Sequence, residues 1–235
     1  MSNKQDKINT YADCINGSKI PTYSSEQQKG GDELTMLSLF SGCGGMDLGF
    51  EGAFLCHRRS VNESNSSWIE KSINDDWVML QKNRFSTIFA NDILREAMLA
   101  WQNYMNRFGK DPSIYRFQSI VELVKMHQNG HDVFPDEVDI VTGGFPCQDF
   151  SVAGKRRGFE SGKMHDGSKR ADDLPSEETR GKLYYWMKQV IDIVKPKIFV
   201  AENVKGLVSL GEVKEIIQRD FAGADDNGYI VLNPQ

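Results

Sequence analysis

TMLSLFSGCGGMDLGF, residues 35–50, is an apolar run that stops at a cluster of glycines and resumes with helical composition. Thr35 to Phe40 has the length and content of a buried strand. SGCGG is a turn, and MDLGFEGAFL reads as a helix start followed by a second turn. A strand that enters a glycine turn and then a helix opens a βαβ unit, the building block of a parallel sheet. The glycines allow two readings. One is an ordinary turn. The other is a cofactor turn, in which the backbone approaches a ligand and helix N–H groups meet its anionic part. The dinucleotide pattern GxGxxG would begin at Gly42 and Gly44 but needs a third glycine at position 47, where Asp47 stands. That departure counts against a nicotinamide cofactor.

The same alternation continues outward. Phe85 to Ala90 (FSTIFA) reads as a second strand ending at Asn91-Asp92, and ILREAMLAWQNYMNRFG as an amphipathic helix stopped near Gly109 and Pro112. SIVELVKMHQNG is a shorter helix, VDIVTGG a strand, KLYYWMKQVIDIVKP a helix, KIFVAEN a strand and VKEIIQRDFAG a helix. YIVLNPQ reads as the beginning of another strand. Residues 57–83 are polar, with scattered Trp, and read as an insertion holding one short helix near Trp68 to Ile73. Residues 161–179 are a second insertion, of loop composition, and residues 1–33 form a polar arm expected to be disordered. The fold expected over 34–235 is α/β and Rossmann-like: a mostly parallel sheet with helices on both faces.

In such a sheet the binding residues lie just past the carboxyl ends of the strands, and three motifs fall there. Asp92 ends the second strand, where a carboxylate can bind two ribose hydroxyls or cap the helix that follows. GGFPCQDFSVAGKRRGF (143–159) follows strand VDIV. A cysteine at a strand end beside cations is a candidate thiolate nucleophile, and Lys155, Arg156 and Arg157 are close to Cys147. Between Gly154 and Arg170 six basic residues meet two acidic ones, in a chain of net charge -5. Such a loop suits phosphate contact, whereas the chain as a whole has no basic footprint. Glu202, in AENVKG, is a candidate acid or charge stabiliser at the third strand end.

These segments resemble the DNA (cytosine-5) methyltransferase family. LSLFSGCGGMDLGF (37–50) is similar to its motif I, FANDI (89–93) to motif II, GGFPCQDFSVAGKRRGF to motif IV, RGKLYY from Arg180 to the start of motif V, and AENVKG (201–206) to motif VI. The resemblance implies S-adenosyl-L-methionine as cofactor. It implies Phe40, Ser41, Gly42, Gly44 and Gly45 at the methionine end, Asp92 on the ribose, and Ile93 and Ile120 near the adenine. It implies Cys147 as the nucleophile toward carbon 6 of a flipped-out cytosine, Glu202 on the ring, and Pro146 and Asn203 shaping the two turns. Gln148, Ser151, Lys155, Arg156 and Arg157 would face the nucleic acid. Double-stranded DNA, in a bacterial restriction-modification setting, is the implied partner.

The sequence also departs from the family. Ser119-Ile120 stands where an Asp-Ile pair is common, so the contact to the adenine amine changes. The Arg-bearing motif VIII and the target-recognition region have no counterpart in the chain, so it reads as a truncated piece, a gene fragment, or one subunit of a split enzyme whose partner is a second polypeptide carrying the target-recognition region. An RNA-directed relative and a non-catalytic fragment or subunit are the alternatives, with a nicotinamide oxidoreductase more distant. The four cysteines, Cys14, Cys43, Cys56 and Cys147, show no CxxC spacing, so no metal is expected. No signal-like or membrane-length apolar run occurs in these residues, which fits a cytoplasmic protein.

Overall fold

The computed structural model describes residues 33–146, 164, 182–204 and 213–232. The arm up to residue 32 and nearly all of the 161–179 segment lie outside them, as does the Cys147 region. The apolar runs become strands β1 (Leu34–Leu39), β5 (Phe85–Asp92), β7 (Ile140–Gly143) and β8 (Ile198–Ala201), which with the short β6 (Tyr115–Phe117) form one sheet, ordered β6-β5-β1-β7-β8. Every neighbouring pair in it is parallel. The central strand β1 is buried from Met36 to Leu39, as a strand covered on both faces should be.

Helices cover the two faces. Adjacent residues of β5 point to opposite sides, so Phe89 joins one core and Ala90 the other. Phe89 packs with α3 (Ile120–Gln128), α4 (Leu183–Val194) and α5 (Val213–Ala222) through Val121, Leu123, Met187, Val190 and Phe221. Ala90 packs with Trp101 and Met105 of α2 (Arg95–Met105), with Leu48 of α1 (Gly45–Glu51) beside them. Two ion-paired side chains fasten α1 to β5. Glu51 accepts from Thr87 N–H at 2.8 Å and pairs with Lys110 at 3.0 Å. The Lys110 ammonium also donates to Ser86 Oγ at 2.8 Å.

The polar stretch 57–83 is more ordered than its composition predicts. It holds a three-stranded antiparallel sheet, β2-β4-β3, built from β2 (Leu55–His57), β3 (Ile69–Ser72) and β4 (Trp77–Leu80). The helix expected near Trp68 to Ile73 is instead 3-10 turn up to Trp68 and then strand β3. A one-turn helix there would leave most of its backbone groups unpaired, whereas pairing with β4 satisfies them, and Val78 of β4 becomes fully buried. Strand β6 gives no signal in the sequence, because three residues are too few to show a period. The strand expected at YIVLNPQ does not form over 229–232. Tyr229 instead donates to the Pro196 carbonyl at 2.6 Å and leaves Ile230 exposed.

Candidate active site

The strand order places β1 between β5 and β7, so its carboxyl end is the point where successive connections run to opposite sides of the sheet. The glycine turn leaves β1 here. Phe40, Gly42 and Gly44 all take positive φ, at 53°, 54° and 87°. For a bulky residue such as Phe40 that backbone is strained, and such strain gathers at functional turns. A Cβ at Gly44 would lie 2.7 Å from Trp101 Cδ1, so the back of the turn is filled by the indole. A Cβ at Gly42 or Gly45 would meet nothing within 4 Å. The turn therefore has a packed back and an open front, the shape a cofactor needs for close backbone approach.

Asp92 does not cap the helix that follows, whose N-cap is Leu94. Its Oδ2 accepts from Gly42 N–H at 3.0 Å, and its Oδ1 accepts from Ile93 and Leu94 N–H at 2.7 and 2.9 Å. The carboxylate thus binds the turn after β5 to the glycine turn. A carboxylate has about four acceptor positions, so ligand hydroxyls can still be taken. Ile93 is exposed beside it. Ile120 is only 2% exposed and belongs to the hydrophobic core, with Ser119 capping its helix.

On the other side of β1, Leu39 is level with Gly143 of β7, and Gly143 with Ala201 of β8. The turns that follow all three strands are thereby set side by side. Met187 of α4 packs directly on the backbone of Gly143: an added Cβ would lie 2.8 Å from its Sδ. The two turns after β7 and β8 are clasped. Glu202 N–H donates to the Gly143 carbonyl at 2.9 Å, and Asn203 Nδ2 donates to the Phe145 carbonyl at 3.0 Å. Asn203 Oδ1 also accepts from Val204 N–H at 2.9 Å, which holds its amide in place. A Cβ on Gly144 would meet Glu202 Oε2 at 3.3 Å, so the exposed carboxylate stands against the turn that leads through Pro146 to Cys147. Cys147, Gln148, Ser151, Lys155, Arg156 and Arg157 lie outside the described residues.

Asn91, Asp47 and Tyr115 at the site escaped the sequence reading. Asn91 is buried and joins β5 to the start of α3, donating to the Gln118 carbonyl at 2.6 Å. Asp47 is fully buried and accepts from Ser38 Oγ, and from Trp101 Nε1 at 2.6 Å. Burial pushes its carboxyl above the usual range, against the pull of those two donors. Tyr115 donates to the Gly42 carbonyl at 3.0 Å. The one signal of this in the sequence is an Asp in the otherwise apolar helix start MDLGF. Among the described residues no group of three His, Cys, Asp or Glu could hold a metal, and no helix is long and apolar enough to cross a membrane.

The class that this fold and site define is the α/β protein with a cofactor crevice at the carboxyl ends of its central parallel strands. More narrowly, the family model for C-5 cytosine-specific DNA methylases matches residues 34–232, and the chain belongs to that family. It is 31% identical over 228 residues to the type II methyltransferase M.BspRI of Lysinibacillus sphaericus, covering 96% of this chain and 45% of that protein. It is 34% identical over 202 residues to the type II methyltransferase M.BsuRI of Bacillus subtilis, covering 85% and 38%. A solved DNA modification methyltransferase structure from an E. coli prophage matches 81% of the chain and 38% of its own, at 19% identity and TM-score 0.45. The chain thus spans less than half the length of these curated relatives.

Proposed function

We propose that residues 34–235 are the cofactor-binding and nucleophile part of an enzyme that methylates carbon 5 of cytosine in double-stranded DNA. The observation that carries this reading is the clasp of Glu202 and Asn203 onto the turn before Cys147, level with a glycine turn that is open in front. S-adenosyl-L-methionine, when bound, supplies an electrophilic methyl group. Phe40, Ser41, Gly42, Gly44 and Gly45 would receive its methionine end, Asp92 its ribose, and Ile93 its adenine, with Ile120 supporting that end from the core.

The remaining work falls to this chain's own residues. The Cys147 thiolate forms a bond to carbon 6 of the cytosine, and the electron pair of the 5,6 double bond makes carbon 5 a nucleophile. Glu202 holds the ring at nitrogen 3 and the exocyclic amine, stabilising the adduct. After carbon 5 has gained its methyl it loses its proton to a base, and the carbon 6–sulfur bond breaks to return the thiolate. Stacked cytosine hides these atoms, so the base must leave the helix at a cost of about a few kcal/mol. Gln148, Ser151, Lys155, Arg156 and Arg157 would hold the opened strand.

The proposed setting is the cytoplasm of a bacterium with a restriction-modification system, with the target-recognition region, on this or a second polypeptide, as the chain's partner on DNA. The outer edge of β8 fits that reading. No described strand pairs with it, and Ile198 and Val200 are 56% and 37% exposed. The test is transfer of radiolabelled methyl to mixed-sequence duplex DNA, with an RNA transcript in parallel and Cys147→Ser as control. Label in DNA that is lost in the variant supports the reading. Label only in RNA reassigns the substrate. No label in either nucleic acid, from the full-length protein, overturns it.

A further inference from the structure

The back of the glycine turn is built from side chains that reach it from α1, α2 and β6. Gly42 is held on both sides: its N–H donates to Asp92 Oδ2, and its carbonyl accepts from the Tyr115 hydroxyl, each at 3.0 Å. Tyr115 comes from β6, 73 residues away at the sheet's edge, and is buried. Its ring lies 5.3 Å from that of Trp101, the indole behind Gly44. Trp101 in turn donates to Asp47, which accepts from Ser38, and Ser41 Oγ lies 2.8 Å from Ser38 Oγ.

We propose that Tyr115 is a positioning residue for the cofactor turn, fixing through its hydroxyl the peptide that follows Gly42. This rests on the cofactor reading given above. Gly42 has φ +54° and open space around it, so its own side chain sets no preference for the orientation of that peptide. The Tyr115 hydroxyl supplies one. Burial first, and the Asp92 and Asp47 charges after it, push the phenol far up, so it remains a proton donor. Without the hydroxyl the peptide can rotate in the free protein, and ligand binding must then bear the cost of ordering it. The ring would still pack on Trp101, so the fold would lose little.

Tyr115→Phe in the full chain separates these effects. The affinity for radiolabelled S-adenosyl-L-methionine is measured by equilibrium dialysis, and the thermal midpoint is measured without cofactor. The expected result is a dissociation constant raised about three- to tenfold, the loss of one hydrogen bond, with the midpoint of the free protein nearly unchanged. An unchanged affinity, with or without a lowered midpoint, overturns the proposal and leaves Tyr115 a packing residue. A wild-type chain that binds no S-adenosyl-L-methionine overturns the cofactor reading itself, and this inference with it.

Discussion

Asp47 shows how much a single residue can carry. It sits where a dinucleotide-binding turn would have its third glycine, and it uses the position to bind Ser38 on β1 and Trp101 on α2. Its folded carboxyl holds a proton to higher pH than the ordinary value of 3.8. The stability it contributes is therefore fully present below that value and is lost as pH rises through the raised one. Asp47→Asn cannot titrate, so the stability of wild type relative to this variant should fall as pH rises from about 4. Urea midpoints of both proteins at pH 5 and pH 8 check this, and parallel pH profiles would sink it. The residues that the motifs displayed in sequence (the glycines, Asp92, Pro146, Glu202, Asn203) were legible because each lies in a contiguous turn. Tyr115, Trp101 and Asp47 were not, because their contacts join positions 54 and 73 residues apart.

Among the elements, the long amphipathic helices were legible from periodicity, and strands β1, β5, β7 and β8 from their apolar runs. Strands β2, β3, β4 and β6 were not, because it is pairing with a neighbour rather than composition that makes them strands. The attachment of α1 shows the same non-local logic. A seven-residue helix has little stability of its own, and this one is fastened by Glu51 to Lys110 and Thr87. Both side chains of that pair are largely buried, so removing one leaves the other charge uncompensated. Lys110→Met should destabilise the protein by about 3–5 kcal/mol in denaturant unfolding. A loss below about 1 kcal/mol would show that the pair behaves like a surface ion pair.

For the whole molecule, protection should follow position in the sheet. Strand β1 has parallel neighbours on both sides and almost no exposure, while β8 has a described neighbour only in β7. Native-state hydrogen exchange should be slowest in β1 and faster in the edge strands β6 and β8, since edge amides open at lower cost. Equal protection of β8 and β1 would mean that the edge is covered in solution. Addition of a complementing polypeptide that slows β8 alone would identify that edge as its seat.

The central place of β1 also has a consequence in time. Among the described residues it is the first strand of the sheet to be made, yet Thr35 finds its partner Asp139, at the head of β7, only 104 residues later. At about 5–20 residues per second, that is a wait of roughly 5–20 s. For that interval LTMLSL is an apolar strand with one side unpaired, open to chaperones and to other chains. The strand that makes the finished sheet secure is thus the one that puts its folding yield at risk during synthesis.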